Sequence, residues 1–303
     1  MYKKMLVSLD GSELAEVVFV YAKELAVRLD LDVILFNVCS PAEREAMPMC
    51  RAYIERAVET IRRQSEEVRV RTGIKPGSKA TEVRGELAVG YPAEEILRYT
   101  NENGIDLILM ATHGRSGVKR WTMGSVADKV LRASKVPIWL VRAVIPEEIV
   151  YDKWPTRTIL VPLDGSELAE SVFPHVEAVA KQRGAELVDV VLLTVCEPML
   201  LPSYYPVAIP LNWDDHVART MREDAQYLAK VEKRLRGLGL RVRSEVLLGK
   251  PADGIVDYAN KNPINLIIMA THGRSGLSRW VFGSVAEKVL LGVSTPILLV
   301  RPH

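Results

Sequence analysis

Two tracts in this chain bring together residue types that could hold a charged ligand. The first is Met110-Ala111-Thr112-His113-Gly114-Arg115-Ser116-Gly117, which recurs unchanged 159 positions later, from Met269 to Gly276. It is too polar and too glycine-rich to be core. Gly114 and Gly117 lack a Cβ, so backbone N–H groups can approach a ligand closely there. Gly124-Ser125 follows after nine residues and directly precedes a helical run, Val126-Ala127-Asp128-Lys129-Val130-Leu131. That order predicts Ser125 as an N-cap with free N–H groups behind it, an anion site. Arg115, Lys119 and Arg120 add positive charge nearby. The second tract, Leu9-Asp10-Gly11-Ser12-Glu13-Leu14-Ala15-Glu16, recurs from Leu163 to Glu170, with Asp164 in the place of Asp10. A carboxylate there can accept hydrogen bonds from sugar hydroxyls. Glycines, a helix N-terminus, basic residues and a sugar-reading acid together describe a nucleotide.

These tracts need elements to bring them together. Apolar runs at 4–9, 32–38, 106–110 and 136–142, with a weaker one at 80–85, predict strands. Segments 12–28, 51–71, 92–101 and 125–133 predict the helices between them. The second half repeats the order, from 158–163 to 296–301. Strands that are apolar throughout and alternate with helices imply a parallel sheet covered on both faces. The fold class expected is therefore α/β, as two tandem doubly wound five-stranded parallel-sheet domains. These are 1–142 and 157–303. The linker, 143–156, carries two prolines and a charge cluster and matches nothing in the other half. In such sheets ligands bind at the carboxyl ends of strands where the strand order reverses, here between the first and fourth strands. The duplicated tracts are the two loops that would line that crevice.

Composition narrows the function. Forty Lys plus Arg stand against 38 Asp plus Glu in 303 residues, a net charge of +2. That balance argues against a nucleic-acid-tracking surface. The N-terminal apolar run stops after five residues at Asp10, too short for a signal peptide, and no stretch approaches the ~20 apolar residues of a membrane span. Three cysteines, Cys39, Cys50 and Cys196, form no CxxC pair and suit no closed disulfide framework, so a cytoplasmic location is expected.

Ala-x2-Gly followed after nine residues by Gly-Ser, present in both halves, resembles the ATP-binding signature of universal stress proteins, Gly-x2-Gly-x9-Gly-(Ser/Thr). The departure is the first glycine, which is Ala111 in one half and Ala270 in the other. The resemblance implies ATP, with Mg2+ carried on its phosphates, as the cofactor of each half. Asp10 and Asp164 would hold the ribose or adenine edge. Val38 and Val195 would meet adenine through the main chain. Met110 with Ala111, and Met269 with Ala270, would border the ribose. Gly114, Arg115, Gly124, Ser125 and Val126 would surround the phosphates of one site, and Gly273, Arg274, Gly283, Ser284 and Val285 those of the other. The second half also keeps the family's proline as Pro162, where the first has Ser8. Family likeness further implies that the last strands, 136–142 and 295–301, pair within the chain as an intrachain pseudo-dimer, with a homodimer of whole chains beyond that.

Plainer roles stand beside these. His113 and His272 order their loops rather than act as catalytic bases, since no nucleophile–base–acid set is visible. A strand-end Asp before Gly-Ser is also a common turn or helix-capping residue. Cys39 and Cys196 suit small buried positions. Trp121 and Trp280 would pack the loop down or line an interface. The charged helix 51–71 is most simply a solvated face. The segment Pro198-Met199-Leu200-Leu201-Pro202-Ser203-Tyr204-Tyr205-Pro206 suits either a lid over adenine or a subunit contact. The function expected is a nucleotide-dependent regulatory protein of the stress response. The alternatives are a slow ATPase or phosphotransferase, for which no P-loop is present, and a nucleotide-free scaffold.

Overall fold

A computed structural model describes residues 1–75, 82–112, 123–142, 157–182, 188–197, 213–272 and 282–302. The expected linker, the Pro/Tyr-rich segment, both tryptophans of the repeats, His113, and Gly114, Arg115, Gly273 and Arg274 lie outside the described residues. The first half runs β1 (Lys4–Leu9), α1 (Glu13–Glu16), α2 (Phe19–Leu29), β2 (Asp32–Cys39), a 3-10 turn at Pro41–Ala46, α3 (Met47–Thr72), β3 (Val83–Val89), α4 (Pro92–Glu102), β4 (Leu107–Ala111), α5 (Ser125–Ala133) and β5 (Ile138–Val141). The second half runs β6 (Arg157–Pro162), α6 (Glu167–Glu170), α7 (Phe173–Ala180), β7 (Val188–Cys196), α8 (Trp213–Gly237), β8 (Arg241–Leu248), α9 (Pro251–Lys261), β9 (Leu266–Ala270), α10 (Ser284–Gly292) and β10 (Ile297–Val300).

All ten strands form one sheet in the order β3-β2-β1-β4-β5-β10-β9-β6-β7-β8. Within each half every pairing is parallel, and the first strand lies beside both the second and the fourth. The halves meet where β5 and β10 pair antiparallel, Trp139 opposite Leu298. Joining these two edges removes them as sites of aggregation. It also explains why they are buried throughout. One apolar layer under α2, α3, α7 and α8 runs across the seam, and a second layer under α4, α5, α9 and α10 covers the other face.

Three departures from the expected elements have physical causes. The helix expected at 12–28 breaks between α1 and α2, and α6 and α7 break at the matching place. At each break sits a fully buried valine, Val18 or Val172, packed into the same apolar layer. Hydrogen bonding there slips to a tighter spacing, Val18 N–H to Ala15 O and Ser171 N–H to Leu168 O. The strand expected at 80–85 instead runs Val83–Val89, set by parallel register from Val33 opposite Val83 to Cys39 opposite Val89. As an edge strand with only Val83 buried, it carries little apolar signal.

The charged helix starts earlier than expected, at Met47, and is not only a solvated face. Its Arg71 reaches Glu24 Oε1 of α2 at 2.5 Å, while Arg28 Nε donates to Glu24 Oε2 at 2.9 Å. The Glu24 and Arg28 side chains are 1% and 2% exposed. Removing one member of a buried ion pair strands the other charge in low dielectric. Glu24→Ala is therefore expected to lose about 3–5 kcal/mol of stability, read from the midpoint of urea unfolding. A loss under about 1 kcal/mol would show that water screens the group.

Candidate functional site

At the carboxyl ends of β6 and β9 lies a cavity of about 430 Å3, within the range of small-molecule sites. Its walls come from the end of β6 (Pro162, Leu163, Asp164), from β7 (Val195, Cys196, Glu197), and from β9 and the residues after it (Met269, Ala270, Thr271, His272). The first turn of α10 (Gly283, Ser284, Val285) closes one side. Every described second-half residue expected to contact a nucleotide therefore borders a single crevice. The remaining pair, Gly273 and Arg274, lies outside the described residues.

Asp164 is held by its own turn. Its Oδ1 accepts from Ser166 N–H at 3.0 Å and from Ser166 Oγ–H at 2.6 Å, and Ser166 Oγ in turn accepts from Ala169 N–H at 3.1 Å. Asp10, Ser12 and Ala15 repeat this arrangement. The plainer role of these aspartates, ordering a turn, is thus present, and Asp164 lines the crevice as well. The glycine between them is needed because its φ is +82° at Gly11 and +81° at Gly165, where a side chain would be strained. The turn is braced from outside. Tyr227 O–H donates to Glu170 at 3.0 Å, and Arg234 reaches the same carboxylate at 2.9 Å. Burial, then the Glu170 charge, raise the Tyr227 pKa. In the first half Tyr53 stands beside Glu16, with its pKa raised by burial first and Glu16 second.

The helix start differs from the sequence expectation. Gly124, not Ser125, occupies the N-cap place of α5, with φ −62° and ψ 145°, and Ser125 is the first helical residue. Gly283 and Ser284 repeat this at α10. The cause is close approach to the neighbouring strand end. Gly124 N–H donates to Thr112 O at 2.8 Å and Gly283 N–H to Thr271 O at 3.0 Å. A Cβ on Gly283 would stand 2.7 Å from Thr271 O. Neither helix receives a side-chain cap, so the N-terminal amides of α10 point toward the crevice with the positive end of the helix dipole behind them. A phosphate fits this cradle, and the apolar Val195, Ile255 and Met269 fit a flat base.

In the first half the register sets the ends of β1, β2 and β4 side by side, with Leu9 opposite Asn37 and Ser8 opposite Met110. Ala111 pairs with Val141, and Val38 with Ala88. Under the crevice floor, Asn37 donates to Leu9 O at 2.9 Å, where Thr194 donates to Leu163 O at 3.0 Å in the second half.

Sequence reasoning missed Thr220 and Asp224, which line the cavity from α8. The signal was a helix register. Tyr53, Ile54, Ile61 and Arg62 match Tyr227, Leu228, Leu235 and Arg236, each 174 positions on. Arg62 and Arg236 also bond equivalent carbonyls, Val83 O and Val242 O. The same register puts Cys50 where Asp224 stands, so the first half differs at the place matching this wall.

His272 packs over Thr271, its Nδ1 2.9 Å from Thr271 Oγ1. Burial first, and the Arg301 charge second, press its pKa below that of a free histidine. The unfolded chain therefore takes up this proton first as pH falls. The stability that the neutral ring contributes is full above about pH 6.5 and is lost on acidification below it. The melting-temperature advantage of the protein over His272→Asn is expected to shrink from pH 8 to pH 5.5. A constant difference would show that His272 is not coupled to folding.

Among the described residues, no helix is long and apolar enough to cross a membrane and no group of three or more His, Cys, Asp or Glu could hold a metal. A relative from Methanocaldococcus jannaschii, a universal stress protein, is 32% identical over 146 residues, 48% of this chain and 82% of its own length. One from Mycobacterium bovis is 25% identical across 72% of this chain and 69% of its own. A solved universal stress protein from Archaeoglobus fulgidus, 21% identical, shares the fold with a TM-score of 0.63 over 98% of both chains. The model of the universal stress protein family matches residues 1–142 and again 155–301, so this chain belongs to that family, as a tandem of two copies.

Proposed function

We propose that this chain binds ATP in the crevice between β6, β9 and α10, binds a second in the matching crevice of the first half, and works as a nucleotide-dependent regulatory protein of the stress response. The observation that carries this is one cavity with a turn-held carboxylate on one side and an uncapped helix N-terminus on another. Asp164 and Asp10 read the ribose or the adenine edge, and the main chain at Val195 and Val38 meets adenine. Met269 with Ala270, and Met110 with Ala111, border the ribose. The phosphates lie at Gly283, Ser284 and Val285 in one half and at Gly124, Ser125 and Val126 in the other. Gly114, Arg115, Gly273 and Arg274 complete the two phosphate shells. Mg2+ travels on the phosphates. Residues 1–142 and 157–303 act as the two domains, joined by 143–156, in a cytoplasmic protein that forms a homodimer of chains.

Mass spectrometry of ligand released on denaturing the purified protein tests this, together with a melting scan in millimolar Mg-ATP. An adenine nucleotide released, or a rise in melting temperature, supports the proposal. The absence of both defeats it. A turnover assay separates binding from catalysis, since multiple turnovers per second would make the protein an enzyme.

A further inference from the structure

The last strand of each half ends in an arginine, and each arginine crosses the seam. Arg301, after β10, donates to Arg132 O at 2.9 Å and to Ser134 O at 3.2 Å, at the carboxyl end of α5. Arg142, after β5, donates to Leu290 O at 3.2 Å and to Leu291 O, in the last turn of α10. The two residues occupy matching places, 159 positions apart. Their acceptors are among the last carbonyls of a helix, which lack partners within it. Arg132 adds a third link, 3.4 Å from Glu287 of α10. The helices held this way are the two whose N-termini lack a side-chain cap, α10 at the cavity and α5 at the matching place of the first half.

We infer that Arg142 and Arg301 are crosswise positioning residues: each half's terminal arginine sets the helix that forms the anion site of the other half. This rests on the proposal that those N-termini receive phosphate. The effect works through placement rather than charge. Nine helical residues span about 14 Å, beyond the roughly 8 Å Debye length at physiological salt. In each arginine one guanidinium nitrogen bonds two carbonyls, which fixes the far end of a short helix, and with it the direction of the amides at the near end. Both helices end at an extended C-cap residue, Ser134 in α5 and Val293 in α10. Each crevice thus depends on the other half, which gives a physical reason for keeping two copies in one chain.

The test uses full-length Arg301→Gln and Arg142→Gln at pH 8, where His272 is neutral with or without the Arg301 charge beside it. Amide hydrogen exchange needs no ligand. Arg301→Gln should speed exchange at least fivefold in α5 and leave α10 unchanged, and Arg142→Gln should do the reverse. Calorimetric titration with Mg-ATP is then run in backgrounds where one crevice is blocked, by Ser284→Glu or by Ser125→Glu. Arg301→Gln should weaken the first crevice about tenfold and spare the second, with the mirror result for Arg142→Gln. Equal exchange changes in both helices, or none, would overturn the inference, as would equal weakening of both crevices. If no variant and no parent protein binds nucleotide, the proposed function fails, while the exchange pattern still decides whether the arginines place the helices crosswise.

Discussion

Ser284→Glu is expected to abolish nucleotide binding in the second crevice and leave the fold slightly firmer. Ser284 is the first residue of α10, exposed, and part of the crevice wall. A carboxylate there stands where a phosphate would bind. Unit charges of like sign 4 Å apart near a protein surface repel by about 4 kcal/mol, so affinity should fall by well over a hundredfold. The same negative charge at a helix N-terminus favours the helix dipole by roughly 0.3–1 kcal/mol. Loss of binding therefore cannot be put down to unfolding. Titration calorimetry should give one nucleotide per chain where the parent gives two, with the melting temperature held or raised. Retention of both sites would show that phosphates do not lie against α10.

The largest stability loss is expected at the seam. Leu298 is fully buried opposite Trp139, in the apolar layer that both halves share. Leu298→Asp removes that packing and buries a charge with no partner. Together these should cost more than about 4 kcal/mol, or a fall of at least about 8 °C in melting temperature. Val89→Asp is the control. Val89 ends the outer edge strand β3 and is 40% exposed, so its replacement should change stability by no more than about 0.5 kcal/mol. Similar losses from both would mean that β5 and β10 do not form a common core in solution.

Some of this was open to a reader of residues alone. Runs such as Leu107–Ala111 and Ile138–Val141 are apolar at every position, and their alternation with helical segments identifies them as strands covered on both faces. The exact repeats at Asp10 and Asp164, and at Met110 and Met269, named the two loops that border each crevice, and five-stranded doubly wound topology put them side by side. Both aspartates also showed their turn-forming role in the pattern Asp-Gly-Ser. Other features could not be read, because they depend on which groups meet in space. Glu24 looks like any charged helix residue until Arg28 and Arg71 converge on it. Ser284 is the better capping residue by type, yet Gly283 takes the cap because a Cβ there would stand 2.7 Å from Thr271 O, just after β9. Asp224 lines the second crevice from α8, and although the 174-residue match of the two long helices aligns it with Cys50, that match does not say which side of the helix meets the cavity. Arg142 and Arg301 read simply as the ends of strands. Residue type and spacing therefore determined the elements, their order and the strand ends that border the second-half crevice, since local polarity and backbone freedom are properties of the chain itself. Tertiary structure alone decided which buried charges pair, which residue caps α5 and α10, and how each half grips the other, because those depend on distances between segments far apart in sequence.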